Sequence, residues 1–332
     1  MSLSAAWLSK RLLLAAFTAY LVMSLAFGLV ALTPDPGEGR VAWRVAQETG
    51  GNETAVREAL EDYREARNRD EPVLERYANY LVDTTRLNWG ASFSRGRPVT
   101  AVLGGALPAT ARYVALALLL ATAGGLALGA YGALAHRTIP DRVVSVVVYG
   151  LFGLANFYLG YLLLIGFGVG AGAGPGAGPA GDPLGFLPAW LAGRAPTRQV
   201  LLPGVVLTTT LLAGQLRYAR AEALEYVDQE FVKLLRSKGA GPLRIGRHVV
   251  RNAAIPLLSL FFSELFAVLA VEVIVVEQVF GVRGLGLVAL RAVTGRDLPL
   301  IVGVAMSVGL LGVVATLLQD VVSRVLDPRV GD

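Results

Sequence analysis

Three glutamates stand in or beside an otherwise apolar stretch from about residue 257 to residue 280, namely Glu264, Glu272 and Glu277. An ionised carboxylate in the middle of a bilayer costs about 2.5–3.5 kcal/mol on insertion scales, so such a group faces a protein interior or a wet cavity. Glu264 and Glu272 are eight residues apart. That separation is about two helical turns, so we expect both on one helix face.

Two hypotheses remain open for this pair. In the first, Glu264 or Glu272 lines a solute pathway, where a carboxylate meets the ammonium group of a peptide. In the second, each carboxylate makes a structural hydrogen bond with a neighbouring polar group, for which residues 208–210 and Gln215 are candidates. Glu277 lies nearer the end of the stretch, and we expect it to anchor the adjoining loop.

Other reactive groups are few. The chain has no cysteine, and its two histidines, His136 and His248, fall in different predicted loops, so we expect no metal site. It contains no H-E-x-x-H, no G-x-S-x-G and no G-x-x-x-x-G-K-[ST] phosphate loop. We therefore expect no catalytic residue and no cofactor, and a membrane enzyme is disfavoured.

The composition is that of an integral membrane protein. Of 332 residues, 54% are hydrophobic and 17% are charged, whereas soluble domains carry about 25% charged residues. Crossing a bilayer takes about 20 helical residues, and six apolar segments are long enough. Backbone groups in lipid must be satisfied internally, which favours helices. The six segments are residues 12–32, 113–135, 143–169, 199–216, 257–280 and 298–319.

The first segment has a rival interpretation as a secretory signal peptide. Its apolar run is longer than a typical signal-peptide core, and no small-residue cleavage pattern precedes Pro34. We expect a retained span. Basic residues in short loops indicate the orientation, because cytoplasmic loops are enriched in Lys and Arg. With the amino terminus inside, fourteen basic residues lie in inside loops and five in outside loops, which favours two cytoplasmic termini.

The long segment after the first span, residues 34–102, is then extracytoplasmic. Residues 52–67 and 74–81 place apolar side chains at helical spacing, which predicts two short amphipathic helices. Their predicted apolar faces consist of Val56, Leu60 and Tyr63 in the first, and of Leu74, Tyr77 and Leu81 in the second. We expect this hairpin on the outer side, without a ligand role.

The inside loop, residues 217–256, carries more information. Residues 228–238 predict a helix with Phe231, Leu234 and Leu235 as its apolar side chains, and Gly239 suits its left-handed C-cap. Pro242 suits the first turn of a second short helix. Two short helices held between two spans form a lever that a cytoplasmic partner could move. The simpler alternative is a basic loop that touches anionic lipid headgroups.

The same loop resembles the cytoplasmic EAA loop of binding-protein-dependent ABC importer permeases, and more narrowly that of the dipeptide, oligopeptide and nickel class. That class reads R-A-K-G and then R-N-A-x-x-P, and this chain reads Arg236-Ser-Lys-Gly239 and Arg251-Asn-Ala-Ala-Ile-Pro256. The spacing from Gly239 to Pro256 is also similar to that class. The chain departs from the name-giving Glu-Ala-Ala, which is here Lys233-Leu-Leu.

Further stretches along the chain are similar to the same family. They include the stretch before the second span, a Leu-Pro-Ala-Thr at the start of that span, an N-x-x-L-G in the third, the region between the last two spans, and the carboxyl terminus. A second departure is Glu272, where a small or apolar residue is expected. In order, these stretches are Trp89 to Pro98, Leu107 to Thr110, Asn156 to Gly160, Glu277 to Phe280, Gly284 to Gly286, Arg296 to Pro299, and Leu326 to Arg329.

The resemblance implies an all-α integral membrane subunit of type-1 ABC importer architecture, with six transmembrane helices and both termini cytoplasmic. It implies pairing with a second, homologous permease, two ATP-binding subunits below and an extracytoplasmic solute-binding protein above, in the cell (inner) membrane, without nucleic acid. ATP hydrolysis then takes place on partner chains, so this chain is not itself an enzyme. The implied ATPase-coupling residues are Lys233, Arg236, Lys238, Gly239, Leu243, Arg244, Ile245, Gly246, Arg251 and Pro256.

The expected domains are an amino-terminal transmembrane helix (1–33), an extracytoplasmic segment (34–102), a permease core of five helices (103–323) and a carboxyl-terminal tail (324–332). The expected function is half of an ATP-driven import pathway for dipeptides or oligopeptides. The alternative is a secondary transporter, which would show internal repeats and helices broken within the membrane. The sequence shows no paired halves.

Overall fold

The computed structural model describes residues 5–33, 36–65, 72–136, 138–166, 200–227, 229–241, 244–248, 261–262 and 264–326. The chain divides into two compact units. The first comprises Met1–Arg11, Leu107–Leu287 and Val314–Asp332, and the second comprises Leu12–Ala106 and Val288–Val313. Among the described residues the regular structure is helical, apart from an isolated bridge between Ala91 and Pro98.

Twelve helices are named here in chain order within those described ranges. They are α1 (Ala5–Leu32), α2 (Pro36–Glu48), α3 (Glu53–Glu65), α4 (Val73–Thr85), α5 (Val99–Leu134), α6 (Ile139–Phe152), α7 (Asn156–Gly166), α8 (Leu202–Val227), α9 (Glu230–Ser237), α10 (Glu264–Phe280), α11 (Leu285–Thr294) and α12 (Leu298–Leu326). Residues 244–248 form one further short helical stretch.

Three of these helices, α1, α5 and α12, are long and apolar enough to cross a membrane. Two bent pairs add a candidate each, with a bend of 98° between α6 and α7 and of 89° between α10 and α11. The described residues therefore contain three to five candidate spans. Helix α8 carries the predicted fourth span but also charged residues such as Arg217 and Arg220, and it is not among them.

Several helices differ from their predicted bounds. Helix α5 begins at Val99, well before predicted residue 113, and α8 continues to Val227 rather than ending at residue 216. Hydropathy marks where a helix leaves the apolar layer, not where its hydrogen bonding stops. The third predicted span is not one continuous helix, because α6 ends at Phe152 and α7 starts at Asn156. The side chain of Asn156 bonds across to α8 and α10, which favours a new helix start there.

Before α5 begins, the described residues of the predicted outside segment hold three helices rather than two, because α2 precedes the expected pair. Asn52 caps α3, since its Oδ1 accepts a 3.1 Å hydrogen bond from the backbone N–H of Thr54. Leu74 does not join a packed face on α4, because 78% of its surface is exposed.

The core of the first unit rests on close contact between α5 and α8. A Cβ added to Gly125 would lie 2.5 Å from the Cβ of Gln215, and one added to Gly129 would lie 2.4 Å from the Cβ of Ala219. Glycines four residues apart allow two helix backbones to approach, which is the packing that apolar membranes favour. This pair of helices carries the inside loop.

Candidate functional site

The inside loop begins at the end of α8 and forms the short helix α9. That helix ends at a left-handed glycine, because Gly239 has φ +74°. The N–H of Ala240 donates to the carbonyl of Leu235 over 3.0 Å. This six-residue closure satisfies a carbonyl that the helix end would otherwise leave without a partner. The predicted C-cap at Gly239 is therefore confirmed.

The loop packs on the ends of α5 and α8 through a small apolar cluster. Val232 of α9 and Ile245 of the next helical stretch are buried against Ala133 of α5 and Ala223 of α8. The predicted apolar face was partly wrong, because Val232 is the buried residue and Leu234 is 55% exposed. The buried contacts among Val232, Ile245, Ala133 and Ala223 join the loop to both helices.

The remaining predicted coupling residues divide by position. Lys233, Lys238 and Arg244 are exposed on the loop, and a Cβ added to Gly246 would lie 3.3 Å from the side chain of Leu134. The side chain of Arg236 lies outside the described part of the structure, although its backbone belongs to α9. Leu243, Arg251 and Pro256 lie outside the described residues altogether.

One arginine in the second half of α8 connects that helix to α6 by hydrogen bonds. Arg220 donates from Nη2 to Oδ2 of Asp141 over 2.8 Å and from Nη1 to the hydroxyl of Ser145 over 3.1 Å. Its Nη2 also lies 3.3 Å from Nδ1 of His136. Asp141 is almost fully buried. Charge-assisted bonds are about twice as strong as neutral ones, so this contact couples α6 to the helix that leads into α9.

The first two glutamates of the apolar stretch both reach polar partners in the first unit. Oε2 of Glu264 accepts a 2.6 Å hydrogen bond from Nε2 of Gln215. Glu272 accepts a hydrogen bond from the amide of Asn156, and Asn156 accepts one from the hydroxyl of Thr210. These five residues form what is called the polar belt below.

A π-helical turn, Val268–Glu272, lies within α10 between the two carboxylates. Eight residues overshoot two α-turns, which hold about 7.2 residues, and one wider π turn takes up about one extra residue. This irregularity brings Glu264 and Glu272 to corresponding positions two turns apart. Both carboxylates are partly exposed.

Glu277 anchors the break between α10 and α11. Its side chain is fully buried, and its Oε1 accepts from the hydroxyls of Thr110 at 2.6 Å and Tyr113 at 3.0 Å. Its Oε2 accepts from the N–H of Leu287 at 2.8 Å. The Thr110 hydroxyl in turn accepts from the N–H of Leu285 at 2.8 Å. These five residues, the Glu277 cluster, satisfy donors at the start of α11, where helix polarity favours a carboxylate.

Two glycines make room for this cluster. A Cβ added to Gly284 would lie 2.1 Å from Oε1 of Glu277, and one added to Gly286 would lie 2.6 Å from the backbone of Val273. Gly281 follows the last residue of α10 as its C-cap, and its φ of +65° is left-handed. The turn therefore needs glycine at Gly284 and Gly286 because of close contacts, and at Gly281 because of the backbone conformation.

The second unit contains a comparable set of hydrogen bonds around a buried carboxylate at the start of α12, called the Asp297 knot below. Asp297 is fully buried and accepts from the hydroxyls of Ser92 at 2.6 Å and Ser94 at 2.7 Å. It also accepts from the backbone N–H groups of Phe93 and Ser94, and its Oδ1 lies 3.3 Å from the N–H of Leu300 as an N-cap. Burial raises the pKa of Asp297, but these hydrogen bonds outweigh it and hold the pKa below its ordinary value.

The knot and the Glu277 cluster each join two of the stretches on which the family resemblance rests. Thr110 and Glu277 come from two such stretches, and Ser92 and Asp297 come from another two. The sequence alone indicates these residues but not that they pair. The contact of Arg220 with Asp141 was not predicted, although a signal existed in two opposite charges beside apolar helices.

Comparison with known proteins identifies a matching family and several similar proteins. Residues 125–332 match the family described as the binding-protein-dependent transport system inner membrane component. The chain is 28% identical over 268 residues to an oligopeptide transport system permease protein of Mycobacterium tuberculosis, which covers 79% of this chain and 81% of that protein. It is 26% identical over 260 residues to a metal-staphylopine import system permease protein of Staphylococcus aureus, covering 78% of each.

The family match covers more than half of the chain, and the apolar helices agree with it. The protein is thus a multi-pass membrane protein with several candidate spans, whose predicted inside loop is anchored to two long helices. From the matched residues and this architecture, the chain belongs to the family of binding-protein-dependent transport system inner membrane components.

Proposed function

We propose that this chain is the transmembrane subunit of an ATP-driven importer, in which it forms half of the solute pathway and is driven by separate ATPase subunits. The observation that carries this proposal is the inside loop. Val232 of helix α9 is buried against the ends of α5 and α8, while Leu234, Lys233 and Lys238 are exposed. The exposed side chain of Leu234 has lysines near it, and the helix that carries it is packed on α5 and α8. Such a surface suits contact with a cytoplasmic protein partner.

The proposed topology has six spans with both termini in the cytoplasm. Three helices and two bent pairs supply five candidates, and α8 supplies the sixth if its charged end lies in the cytoplasm. The loop charges that favour this orientation follow the positive-inside rule. A second, homologous permease, two ATP-binding subunits and an extracytoplasmic solute-binding protein complete the proposed assembly.

The absence of cysteine from the sequence makes this topology directly testable. Single cysteines at Lys238 and at Glu58, both exposed, would be labelled in intact cells and in inverted membranes with a membrane-impermeant maleimide. The proposal predicts that Glu58→Cys reacts from outside and Lys238→Cys only in inverted membranes. Labelling of both positions from the same side would contradict it.

Peptides are the proposed solute. The Mycobacterium tuberculosis relative is named for oligopeptides and the Staphylococcus aureus relative for metal-staphylopine, so the solute class rests on analogy with such relatives. Proteoliposomes containing the full assembly should take up a radiolabelled tripeptide when ATP is supplied on the ATPase side. Uptake that continues without ATP but collapses when ion gradients are dissipated would favour the secondary transporter instead.

Glu264 and Glu272 are proposed to line the pathway. Both carboxylates are partly exposed, and in the described part of the chain neither forms an ion pair. Because a partly exposed carboxylate at membrane depth is not stable against lipid tails, it must face protein or water. A water-filled path shared with the partner permease meets that requirement.

A further inference from the structure

Helix α4 packs against α1 and α12 about two turns in from the ends of those helices. The hydroxyl groups of Tyr77 and Ser24 lie 2.6 Å apart, and the hydroxyl of Tyr80 donates to Sδ of Met306 over 3.1 Å. The ring of Phe27 packs on both tyrosines, with centroid distances of 5.2 Å and 5.4 Å. All five residues belong to the second unit, so these contacts fix α4 within one compact body.

The two polar contacts of α4 lie at the same distance from the helix ends. Ser24 is eight residues before the end of α1, and Met306 is eight residues after the start of α12. The two helices run side by side there, since a Cβ added to Gly309 would lie 2.8 Å from Val22. Eight helical residues rise about 12 Å, whereas one leaflet of the hydrocarbon core is about 15 Å thick. Because α1 and α12 are both candidate spans, α4 contacts them at the depth of lipid tails.

The rest of the α4 surface carries two stripes of exposed residues, because residues four apart share a helix face. One stripe is apolar and the other is polar. The apolar stripe consists of Leu74, Ala78 and Val82, and the polar stripe consists of Glu75, Asn79 and Asp83. Leu74 is 78% exposed and Val82 is 47% exposed. A helix with an apolar face and a separate polar face is typical of the boundary between lipid tails and headgroups.

The depth of α4 is what makes its apolar stripe informative. Single exposed apolar residues are ordinary on a surface in water and need no partner. At the depth of lipid tails the same residues have a partner in the acyl chains, and the tyrosine contacts place α4 at that depth. The polar stripe then faces the headgroups or water.

We propose that the apolar stripe of α4 binds the acyl chains of the outer leaflet, so that α4 is an interfacial membrane helix rather than part of a segment that stands in water. This inference rests on the proposed topology, in which this end of α1 faces outward. It adds the partner of a surface that shares no residue with the polar belt. Contact with lipid removes the exposed parts of Leu74 and Val82 from water.

Spin labels test this contact, because the chain contains no cysteine. Leu74→Cys and Val82→Cys are each labelled with a nitroxide in the complete importer, whose partner subunits have had their cysteines replaced, in lipid nanodiscs. Power saturation then compares collisions with oxygen, which concentrates among lipid tails, and with a nickel chelate, which stays in water. Both labels should collide more with oxygen than with the chelate.

The matched controls are Asp83→Cys, next to Val82 but on the polar stripe, and Glu58→Cys, exposed on α3. Both labels should collide more with the chelate. A chelate preference at Leu74 and Val82 would overturn the inference, because the stripe then faces water. Weak collisions with both reagents there would also overturn it, because a protein partner then covers the stripe.

Uptake separates this inference from the proposed function. Because Tyr77 and Tyr80 hold α4 on α1 and α12, a changed stripe residue should leave ATP-driven tripeptide uptake by the same proteins in proteoliposomes in place. Uptake together with a water-facing or protein-covered stripe would overturn this inference alone. Absence of uptake by the wild-type importer would instead contradict the proposed function, whatever the labels report.

Discussion

The hydroxyl of Thr110 lies 2.6 Å from Oε1 of Glu277, although 167 positions separate the two residues in the chain. The same hydroxyl accepts the N–H of Leu285 at 2.8 Å. One threonine therefore connects α5, the end of α10 and the start of α11. Because the Thr110 hydroxyl is buried, water cannot take the place of either hydrogen bond if it is lost.

Thr110→Val should destabilise the protein by about 1–3 kcal/mol, since a buried carboxylate and a buried N–H each lose a partner. The measurement is thermal or denaturant unfolding of the purified complex in detergent. Thr122→Val is the matched control on the same helix, because the Thr122 hydroxyl is buried without a hydrogen-bond partner among the described residues. Equal losses for the two variants would contradict the assigned role of Thr110.

Gly284→Ala should be more damaging than its size suggests. The added Cβ would lie 2.1 Å from Oε1 of Glu277 and 2.3 Å from Oγ1 of Thr110, so the turn before α11 must shift. Gly105→Ala, which meets nothing within 4 Å inside helix α5, should be neutral or stabilising by up to about 1 kcal/mol. A lower yield and unfolding temperature for Gly284→Ala alone is the expected result, and equal behaviour would argue against the close contact.

The Asp297 knot should make stability depend on acid pH. Its pKa is lower in the folded protein than in the unfolded chain, so its contribution is present above the ordinary aspartate pKa of about 3.9 and is lost as pH falls through the lower folded value. Asp297→Asn should cost about 1–3 kcal/mol at pH 7, and its stability gap to wild type should narrow below about pH 4.

The control for this aspartate is Asp62→Asn, an exposed residue of α3. Its unfolding curve should follow that of wild type from pH 7 to pH 3. A gap between Asp297→Asn and wild type that stays constant over this range would show that the carboxylate charge is not what holds Ser92 and Ser94.

Arg220→Gln should reduce both stability and coupling. Asp141 is buried and would lose its cationic partner at 2.8 Å, a loss of about 1.5–3 kcal/mol for a bond to a charged group. In the assembled importer, more ATP should be hydrolysed for each peptide transported, because α6 no longer follows α8. Arg217→Gln is the control, since Arg217 is exposed and contacts the Tyr218 ring at 5.4 Å. Unchanged ATP use in Arg220→Gln would refute the coupling role.

Much of the helical architecture could be predicted from the sequence, because apolar runs and loop charges are local signals. The break at Asn156 could not, since a hydropathy window averages over a bend whose cause is a side-chain bond to Thr210 and Glu272. The π turn before Val273 is likewise invisible to periodicity over so short a stretch.

The candidate site was predicted in part for the same reason. Gly239 was predicted as a left-handed C-cap because a glycine directly after a helical pattern is a local sequence signal. The burial of Val232 instead of Leu234 depends on where α5 and α8 end, which only the packed structure determines. Both hypotheses for Glu264 remain compatible with the structure, because its bond to Gln215 is structural and its exposed edge is still available for a solute.

Co-purification of ATPase subunits with variants of α9 tests whether a separate ATPase drives this chain by binding that helix. Leu234→Asp places a charge on the exposed apolar residue of α9, and Leu74→Asp makes the same change on α4, at a residue that is 78% exposed. We expect tagged Leu234→Asp to lose its ATPase subunits and ATP-driven tripeptide uptake, while Leu74→Asp keeps both. Retention of the ATPases and of uptake by Leu234→Asp would contradict it.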